Sequence, residues 1–236
     1  ITILQNDQGA TEEITDEVTI EEPLEFSIAF VAHSSREIKN LAVTMRTPGN
    51  DFELVMGFLY SEGIINNKSD VQAITRMDNL EESSNNENTG LVELEGTLGV
   101  EPKKIRNFYN NSSCGICGKQ VVGGFGSLQE YHSSKGEFLV GESVLRTLPG
   151  CLQKQQDAFS QTGGLHASAL FDQQGSILSL FEDVGRHNAL DKLIGRELQN
   201  NNLPLFQSGL ILSGRTSFEL IHKAALAGIP VVVSIG

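Results

Sequence analysis

The sequence predicts an α/β fold on three observations. Its C-terminal stretch reads as an apolar strand Gly209-Leu-Ile-Leu-Ser213, a loop at Gly214-Arg-Thr216, a helix from Ser217 to Ala227 and a near-continuous apolar strand from Ile229 to Ile235. That succession is a βαβ unit, in which a crossover helix returns the chain to a parallel strand and the sheet is covered on both faces. Upstream of it, from Ser143 onward, helical and strand patterns alternate. Nearer the N-terminus the apolar residues alternate with Glu and Asp, which marks strands with one face in solvent. The chain therefore divides into an N-terminal α+β portion, residues 1–110, and an α/β portion, residues 111–236.

Taken in order, Glu17-Val-Thr-Ile-Glu21 and Leu24-Glu-Phe-Ser-Ile28 alternate as strands, and Leu41-Ala-Val-Thr-Met45 is a third. The turn Arg46-Thr-Pro-Gly-Asn-Asp51 leads into a helix over Phe52 to Glu62, because Leu54, Val55, Phe58 and Leu59 fall on one helical face. Gly63 suits the left-handed position that ends it. The run Glu81-Glu-Ser-Ser-Asn-Asn-Glu-Asn-Thr89 is too polar for a core and is expected to be a loop tip or disordered. Glycines surround Ser112-Ser-Cys-Gly-Ile-Cys-Gly118 and recur at Gly123-Gly-Phe-Gly126, so a flexible loop is expected there. A helix follows through Val144, Leu145, Leu148, Leu152 and Phe159, with a break at Pro149-Gly150. Thr162-Gly-Gly-Leu-His166 opens a strand, and Asp172-Gln-Gln-Gly175 turns the chain into another through Ile177, Leu178 and Leu180. The spacing of Leu190, Leu193 and Ile194 predicts a helix over His187–Leu198. In the last unit, Thr216-x-x-Glu219 matches a capping box and Gly228 a C-terminal stop.

Composition narrows the function. With 39% hydrophobic residues and 24 glycines in 236 residues, the chain can build a sizeable core. Its 17 basic and 30 acidic residues leave a net charge of −13, which repels nucleic acid and anionic membrane surfaces. No apolar run approaches the roughly 18 residues of a membrane span. The N-terminal Ile1-Thr-Ile-Leu-Gln5 lacks the basic and apolar regions of a signal peptide. Three cysteines, two of them close together, do not make a disulfide framework and point to a reducing compartment. A cytoplasmic protein is expected, and the ends at Ile1 and Gly236 read as those of a longer chain.

The sharpest chemical feature is Cys114-Gly-Ile-Cys117. A CxxC of this kind is half a zinc site, a redox dithiol or a sulfur-carrying pair. Structural zinc needs four ligands, which here would require Cys151 and a distant His132, His166 or His187. A thioredoxin-like dithiol belongs on a strand-to-helix turn, whereas this one follows Arg106-Asn-Phe-Tyr-Asn-Asn-Ser-Ser113. A mobile thiolate suits a group loaded in one place and unloaded in another. Cys151, within an apolar helical pattern, reads as an inert core residue.

Three further segments combine donors with strand or helix ends. His166 begins a strand after two glycines; a zinc deaminase would need H-x-E here and P-C-x-x-C after it, but position 168 is Ser and the CxxC comes first. Glu182-Asp-Val-Gly-Arg-His-Asn188 opens a helix. It reads either as a cap by Asp183 with an Arg186–Asp191 ion pair, or as a cleft at a sheet's carboxyl edge. Ser213-Gly-Arg-Thr-Ser217 joins a buried strand to a helix N-terminus, where backbone N–H groups, Arg215 and two hydroxyls favour phosphate, although the P-loop spacing is missing.

In this order, Arg46-Thr-Pro-Gly-Asn-Asp51, Gly57-Phe-Leu-Tyr-Ser-Glu-Gly-Ile-Ile65, Ser112-Ser-Cys-Gly-Ile-Cys-Gly118, Thr162-Gly-Gly-Leu-His-Ala-Ser-Ala169, Glu182-Asp-Val-Gly-Arg-His-Asn-Ala-Leu-Asp-Lys192 and Ser213-Gly-Arg-Thr-Ser-Phe-Glu219 resemble the FdhD family of formate dehydrogenase accessory proteins. The resemblance runs from about residue 20 to the end. It implies a three-layer, cytidine-deaminase-like domain with a mixed sheet, beside a smaller N-terminal α+β portion, in a cytoplasmic homodimer. It further implies a sulfurtransferase: Cys114 and Cys117 carry sulfane sulfur taken as a persulfide from a cysteine desulfurase. The sulfur goes to the molybdenum bis-molybdopterin guanine dinucleotide cofactor of formate dehydrogenase, a transient substrate and not a permanent cofactor. The residues expected to line its site are His166, Arg186, His187, Arg215, Thr216 and Ser217, with no resident metal. Family members continue past the position of Gly236, so a closing segment that helps hold the guanine nucleotide is expected to be missing. A binding chaperone without sulfur chemistry is the alternative reading.

Overall fold

Of the two alternating segments read as strands before residue 30, only the second, within Glu22–Ala32, becomes one. A computed structural model describes residues 1–7, 10–32, 35–76, 88–97, 108–109 and 138–236. In it, β1 (Thr2–Asp7) and β2 (Ala10–Thr15) make a separate antiparallel pair. Residues 16–21, where a strand is predicted, are irregular; Val18 and Ile20 stay 54% and 63% exposed, so no apolar surface holds that segment flat.

A five-stranded sheet follows. The strand β3 (Glu22–Ala32) pairs antiparallel with β4 (Ser35–Arg46), and β5 (Val71–Arg76) antiparallel with β6 (Thr89–Thr97). With β7 (Phe108–Tyr109), the order is β5-β6-β3-β4-β7, parallel at β6/β3 and β4/β7. The helix α1 (Asp51–Ser61) buries Leu54, Val55, Phe58 and Leu59 against Phe26, Ile28 and Leu41, with Phe58 edge-to-face on Phe26 at 5.2 Å. Gly63 has φ +69°, as a helix-ending glycine should. The polar run from Glu81 lies largely outside the described residues.

The C-terminal half is a mixed α/β arrangement. Its four-stranded sheet has the order β11-β10-β8-β9, made by β8 (His166–Phe171), β9 (Ile177–Asp183), β10 (Gly209–Leu212) and β11 (Val231–Ser234). The β10/β11 pair is parallel, as the βαβ pattern predicts, and β8 is antiparallel to both its neighbours. Strand alternation sends Leu170, Leu210 and Leu212 toward α4 (Arg186–Gln199) and α5 (Phe218–Leu226), while Ala167, Ala169, Phe171 and Ile211 face α2 (Glu142–Gln153). Helices thus cover both faces.

Pro149 does not break its helix. The interruption comes at residues 154–156, before α3 (Asp157–Thr162). Proline deletes one backbone donor, and the flanking Leu148 and Leu152, both fully buried against the sheet, hold the turns on either side of it.

The two sheets are joined where α1 crosses α4. A Cβ on Gly57 would lie 1.9 Å from the Asp191 carbonyl oxygen, and one on Gly195 1.9 Å from that of Glu53. The helices meet backbone to backbone, which only glycine permits, and the crossing brings the 46–51 turn beside the start of α4.

Candidate functional site

The parallel strands β10 and β11 end, β9 ends and β8 begins at one edge of the second sheet, and α4 and α5 both start there. This is the edge at which open α/β sheets take ligands. All six residues expected to line the cofactor site lie in the segments that meet at it.

His166, the first residue of β8, sits opposite Asp183 in the strand register. Its ring lies over Gly214, where a Cβ would come within 2.8 Å of Nδ1. Ser213 anchors that loop: its Oγ accepts from the Ala167 N–H at 2.8 Å, and its own N–H donates to the Ala167 carbonyl at 3.0 Å. Burial, the charge of Arg186 and a weaker opposing pull from Asp183 together hold the His166 imidazole below its ordinary range.

Arg186 and His187 occupy the first turn of α4, whose N-cap is Gly185 and whose first turn carries no acid. The His187 Nε2 lies 3.2 Å from Ser217 Oγ and 3.5 Å from Glu219 Oε2. Burial lowers His187 to about 4, with Lys223, Arg186 and His166 adding to the effect and Glu219 opposing it, so the ring is neutral at neutral pH. Ser217 caps α5, its Oγ accepting from the Leu220 N–H at 3.4 Å; the cap predicted at Thr216 is one residue too early, and Thr216 and Arg215 are exposed. Glu219 turns inward and is 8% exposed. The start of α5 therefore carries its own carboxylate, whereas the first turn of α4 carries Arg186 and no acid.

Behind the edge lies a buried ionic framework. The Asp183 Oδ1 accepts from the Gly185 N–H and Asn188 Nδ2, and its Oδ2 from the Thr47 N–H and from Lys192 Nζ at 2.7 Å. The same ammonium donates to the Thr47 carbonyl, and Asn188 Nδ2 to that of Met45. Arg46 forms a two-pronged pair with Asp51 at 2.9 and 3.2 Å. Asp191 pairs with Lys223 at 2.5 and 2.7 Å and accepts from Ser61 Oγ, which excludes the predicted Arg186–Asp191 pair. Burial raises Asp191 to about 6 against the pull of Lys223 and Ser61. Lys223 itself, which burial alone would lower, is held above its ordinary value by Asp191, Glu219 and Glu62.

Sequence reasoning read Arg46–Asp51 as a turn and a family motif, gave Asp191 the partner Arg186 instead of Lys223, and assigned no role to Lys192 or Lys223. The one available signal is that these charges interrupt the buried faces of α4 and α5. Cys114, Cys117 and His132 lie outside the described residues. Cys151 is a free thiol on α2, half-buried where a fully buried core residue is expected. Among the described residues no group of three potential ligands could hold a metal ion, and no helix is long and apolar enough to cross a membrane.

A cleft of about 520 Å³ opens beside His166, between the α2–α3 corner and the strand ends. A larger groove of about 910 Å³ lies at the other end of the sheet, but its charged residues, Arg196 and Glu197, already engage Glu53 and Asn202.

Comparison with known proteins identifies relatives of the chain. Residues 20–236 match the model of the FdhD/NarQ family. The sulfur carrier protein FdhD of Mycolicibacterium paratuberculosis is 43% identical over 220 residues, 92% of this chain and 78% of the relative. The protein of the same name from Sulfolobus acidocaldarius is 41% identical over 93% of this chain and 77% of its own length. Among solved structures, a Desulfotalea psychrophila chain described as a formate dehydrogenase accessory protein superimposes with a TM-score of 0.70. It is 20% identical and covers 99% of this chain and 82% of its own, so that likeness speaks for the fold.

Proposed function

The chain belongs to the FdhD/NarQ family, and on that premise we propose that it is a sulfur carrier serving formate dehydrogenase. The observation that carries this reading is the 43% identity, over 92% of the chain, to a protein named as a sulfur carrier. Cys114 is the residue proposed to be loaded, with Cys117 beside it in sequence. Its thiolate attacks the outer sulfur of a cysteine desulfurase persulfide, the donor's S–S bond breaks, and the donor leaves as a thiolate. The acceptor is the molybdenum of the bis-molybdopterin guanine dinucleotide cofactor, which is bound as substrate. The two-ended, anionic shape of that substrate fits a cytoplasmic homodimer with a deaminase-like core, as the family resemblance implies.

The chain's own residues supply a binding edge. The uncapped start of α4, with Arg186, offers N–H groups and positive charge to a phosphate in a protein whose net charge is −13. Neutral His166 and His187 donate or accept hydrogen bonds there without adding charge. Arg215 and Thr216, exposed on the loop before α5, face solvent from the same edge.

Loading is tested by incubating the protein with a cysteine desulfurase and cysteine and weighing the Cys114–Cys117 peptide. A mass gain of one sulfur, abolished by Cys114→Ser, is expected. No gain under conditions that load a control carrier rules out the relay. A binding chaperone would instead activate formate dehydrogenase with both cysteines replaced.

A further inference from the structure

The chain's charge is unevenly spread. Eight of its 30 acidic residues fall within the first 25 positions, and no lysine or arginine precedes Arg36. The remaining 22 acids face all 17 bases, so this short segment carries −8 of the net −13. It is also the part least joined to the fold. The hairpin β1–β2 is a sheet of its own, and among the described residues none before Leu24 belongs to any of the three hydrophobic clusters. Leu4 on the hairpin, and Val18 and Ile20 just after it, are each more than half exposed. A lone two-stranded hairpin is marginal in water, and apolar side chains left open beside two unpaired strand edges make a surface for contact with another molecule.

The root of this segment is fixed at a defined place. The Thr19 hydroxyl donates to Oγ1 of Thr162, the last residue of α3, at 2.7 Å, and the Thr162 hydroxyl donates in turn to the Ala158 carbonyl. Thr19 Oγ1 also lies 4.0 Å from where a Cβ on Gly164 would stand, and Gly164 lines the cleft beside His166. The segment therefore leaves the body of the protein at the rim of the edge proposed to take the cofactor. Glu13, Glu17 and Glu21 are exposed along it and enter none of the ion pairs among the described residues. An enzyme that takes up a bis-guanine dinucleotide needs positive charge at the mouth of its cofactor cavity, because the pyrophosphates it receives are anionic. A second copy of this chain would set −8 against −8, so charge complementarity favours the enzyme.

We propose that β1, β2 and the stretch to Glu21 form an acidic arm that docks on the basic cofactor mouth of the enzyme receiving the cofactor, with Glu13, Glu17 and Glu21 facing its lysines and arginines and Leu4, Val18 and Ile20 meeting apolar surface between them. This inference rests on the reading of the chain as a carrier serving formate dehydrogenase. Docked in this way, the arm brings the recipient's mouth to the edge from which the cofactor leaves. The charges act mainly on the rate of encounter, and the apolar contacts on the lifetime of the complex.

Surface plasmon resonance between the whole protein and cofactor-free formate dehydrogenase tests this. The combined variant Glu13→Gln, Glu17→Gln and Glu21→Gln removes three exposed charges and touches no core. It is expected to bind about tenfold more weakly at low ionic strength, chiefly through slower association, and the gap should shrink to about twofold near 0.5 M salt. Leu4→Ser combined with Ile20→Ser is expected to speed dissociation about tenfold. Sulfur loading of the Cys114–Cys117 peptide should be the same in both variants as in the wild type. Equal affinity of the glutamine variant and the wild type at low salt overturns the inference. So does a wild type that loads sulfur yet fails to bind the cofactor-free enzyme, or one that sediments as a dimer which the Leu4→Ser, Ile20→Ser variant dissociates, since the arm then covers a second copy. In each of these cases intact loading leaves the carrier reading standing. If the wild type neither takes up sulfur nor binds the enzyme, the carrier reading and this inference fail together.

Discussion

Replacing His187 by Gln should change how stability responds to acid, and the structure sets both sign and size. Burial holds the His187 imidazole at about 4, whereas in the unfolded chain it titrates near its ordinary value of about 6.5. The unfolded state therefore binds a proton between those two values that the folded state refuses. Each pH unit of that interval is worth about 1.4 kcal/mol, so the wild type should lose about 2 kcal/mol from this residue on going from pH 7.5 to pH 5. Asp191, raised to about 6, works the other way, because its folded state takes up a proton first as the pH falls. The wild-type curve alone is thus a sum of opposing contributions, and the difference between wild type and His187→Gln isolates the histidine. Urea unfolding of both proteins at the two pH values, with equal m-values, gives that difference. The gap should move by about 2 kcal/mol in favour of the variant at pH 5. A gap independent of pH would show that His187 titrates normally, and a shift toward the wild type would mean that the 3.5 Å contact with Glu219 makes it an imidazolium.

Four further expectations follow. Gly57→Ala must push a methyl group to 1.9 Å from a backbone oxygen that has no side-chain freedom, so it should cost about 3 kcal/mol; a thermal melt within about 2 °C of wild type would refute the backbone-to-backbone crossing. Lys192→Met strips Asp183 of its counter-ion while leaving it fully buried, for an expected loss of about 3–5 kcal/mol in denaturant unfolding. Ser217→Ala should destabilise by about 0.5–1 kcal/mol and Thr216→Ala by less than about 0.5, and the reverse order would return the cap to Thr216. Cys151→Ser should leave sulfur loading unaffected, because this thiol sits on α2 away from the CxxC in sequence; loss of loading on its replacement would bring it into the relay.

What the sequence made legible is what periodicity encodes. The apolar spacing of α1 and α4 and the strand-helix-strand pattern at the C-terminus depend on neighbours a few residues apart, and each appears within a residue or two of its expected bounds. Misreadings arose where local grammar met a distant constraint. Pro149 is a breaker by its own chemistry, but Leu148 and Leu152 dock on a sheet formed later in the chain. Glu17–Glu21 alternates like a strand, yet no partner surface covers Val18 or Ile20. Thr216 satisfies the capping-box spacing, but Glu219 is drawn inward toward His187, so the next hydroxyl takes the cap. The motif residues of the candidate site were found by type; what they contact was not, since Asp183 meets Thr47 across 136 residues of sequence.

That last contact explains why the turn at Arg46–Asp51 and the start of α4 behave as one unit. Asp183, Asn188 and Lys192 reach the backbone of Met45 and Thr47, and the Thr47 Oγ1 accepts from the Val184 N–H at 3.0 Å, so the turn is fastened to α4 through its peptide groups and through Thr47. Three internal pairs, Arg46–Asp51, Lys192–Asp183 and Lys223–Asp191, neutralise buried charge within this unit. Pairs of this kind contribute little net stability compared with apolar packing, and their strength lies in orientation. Arg186 and Arg215 lie at the sheet edge, where the phosphate proposed above would meet positive charge against an overall charge of −13.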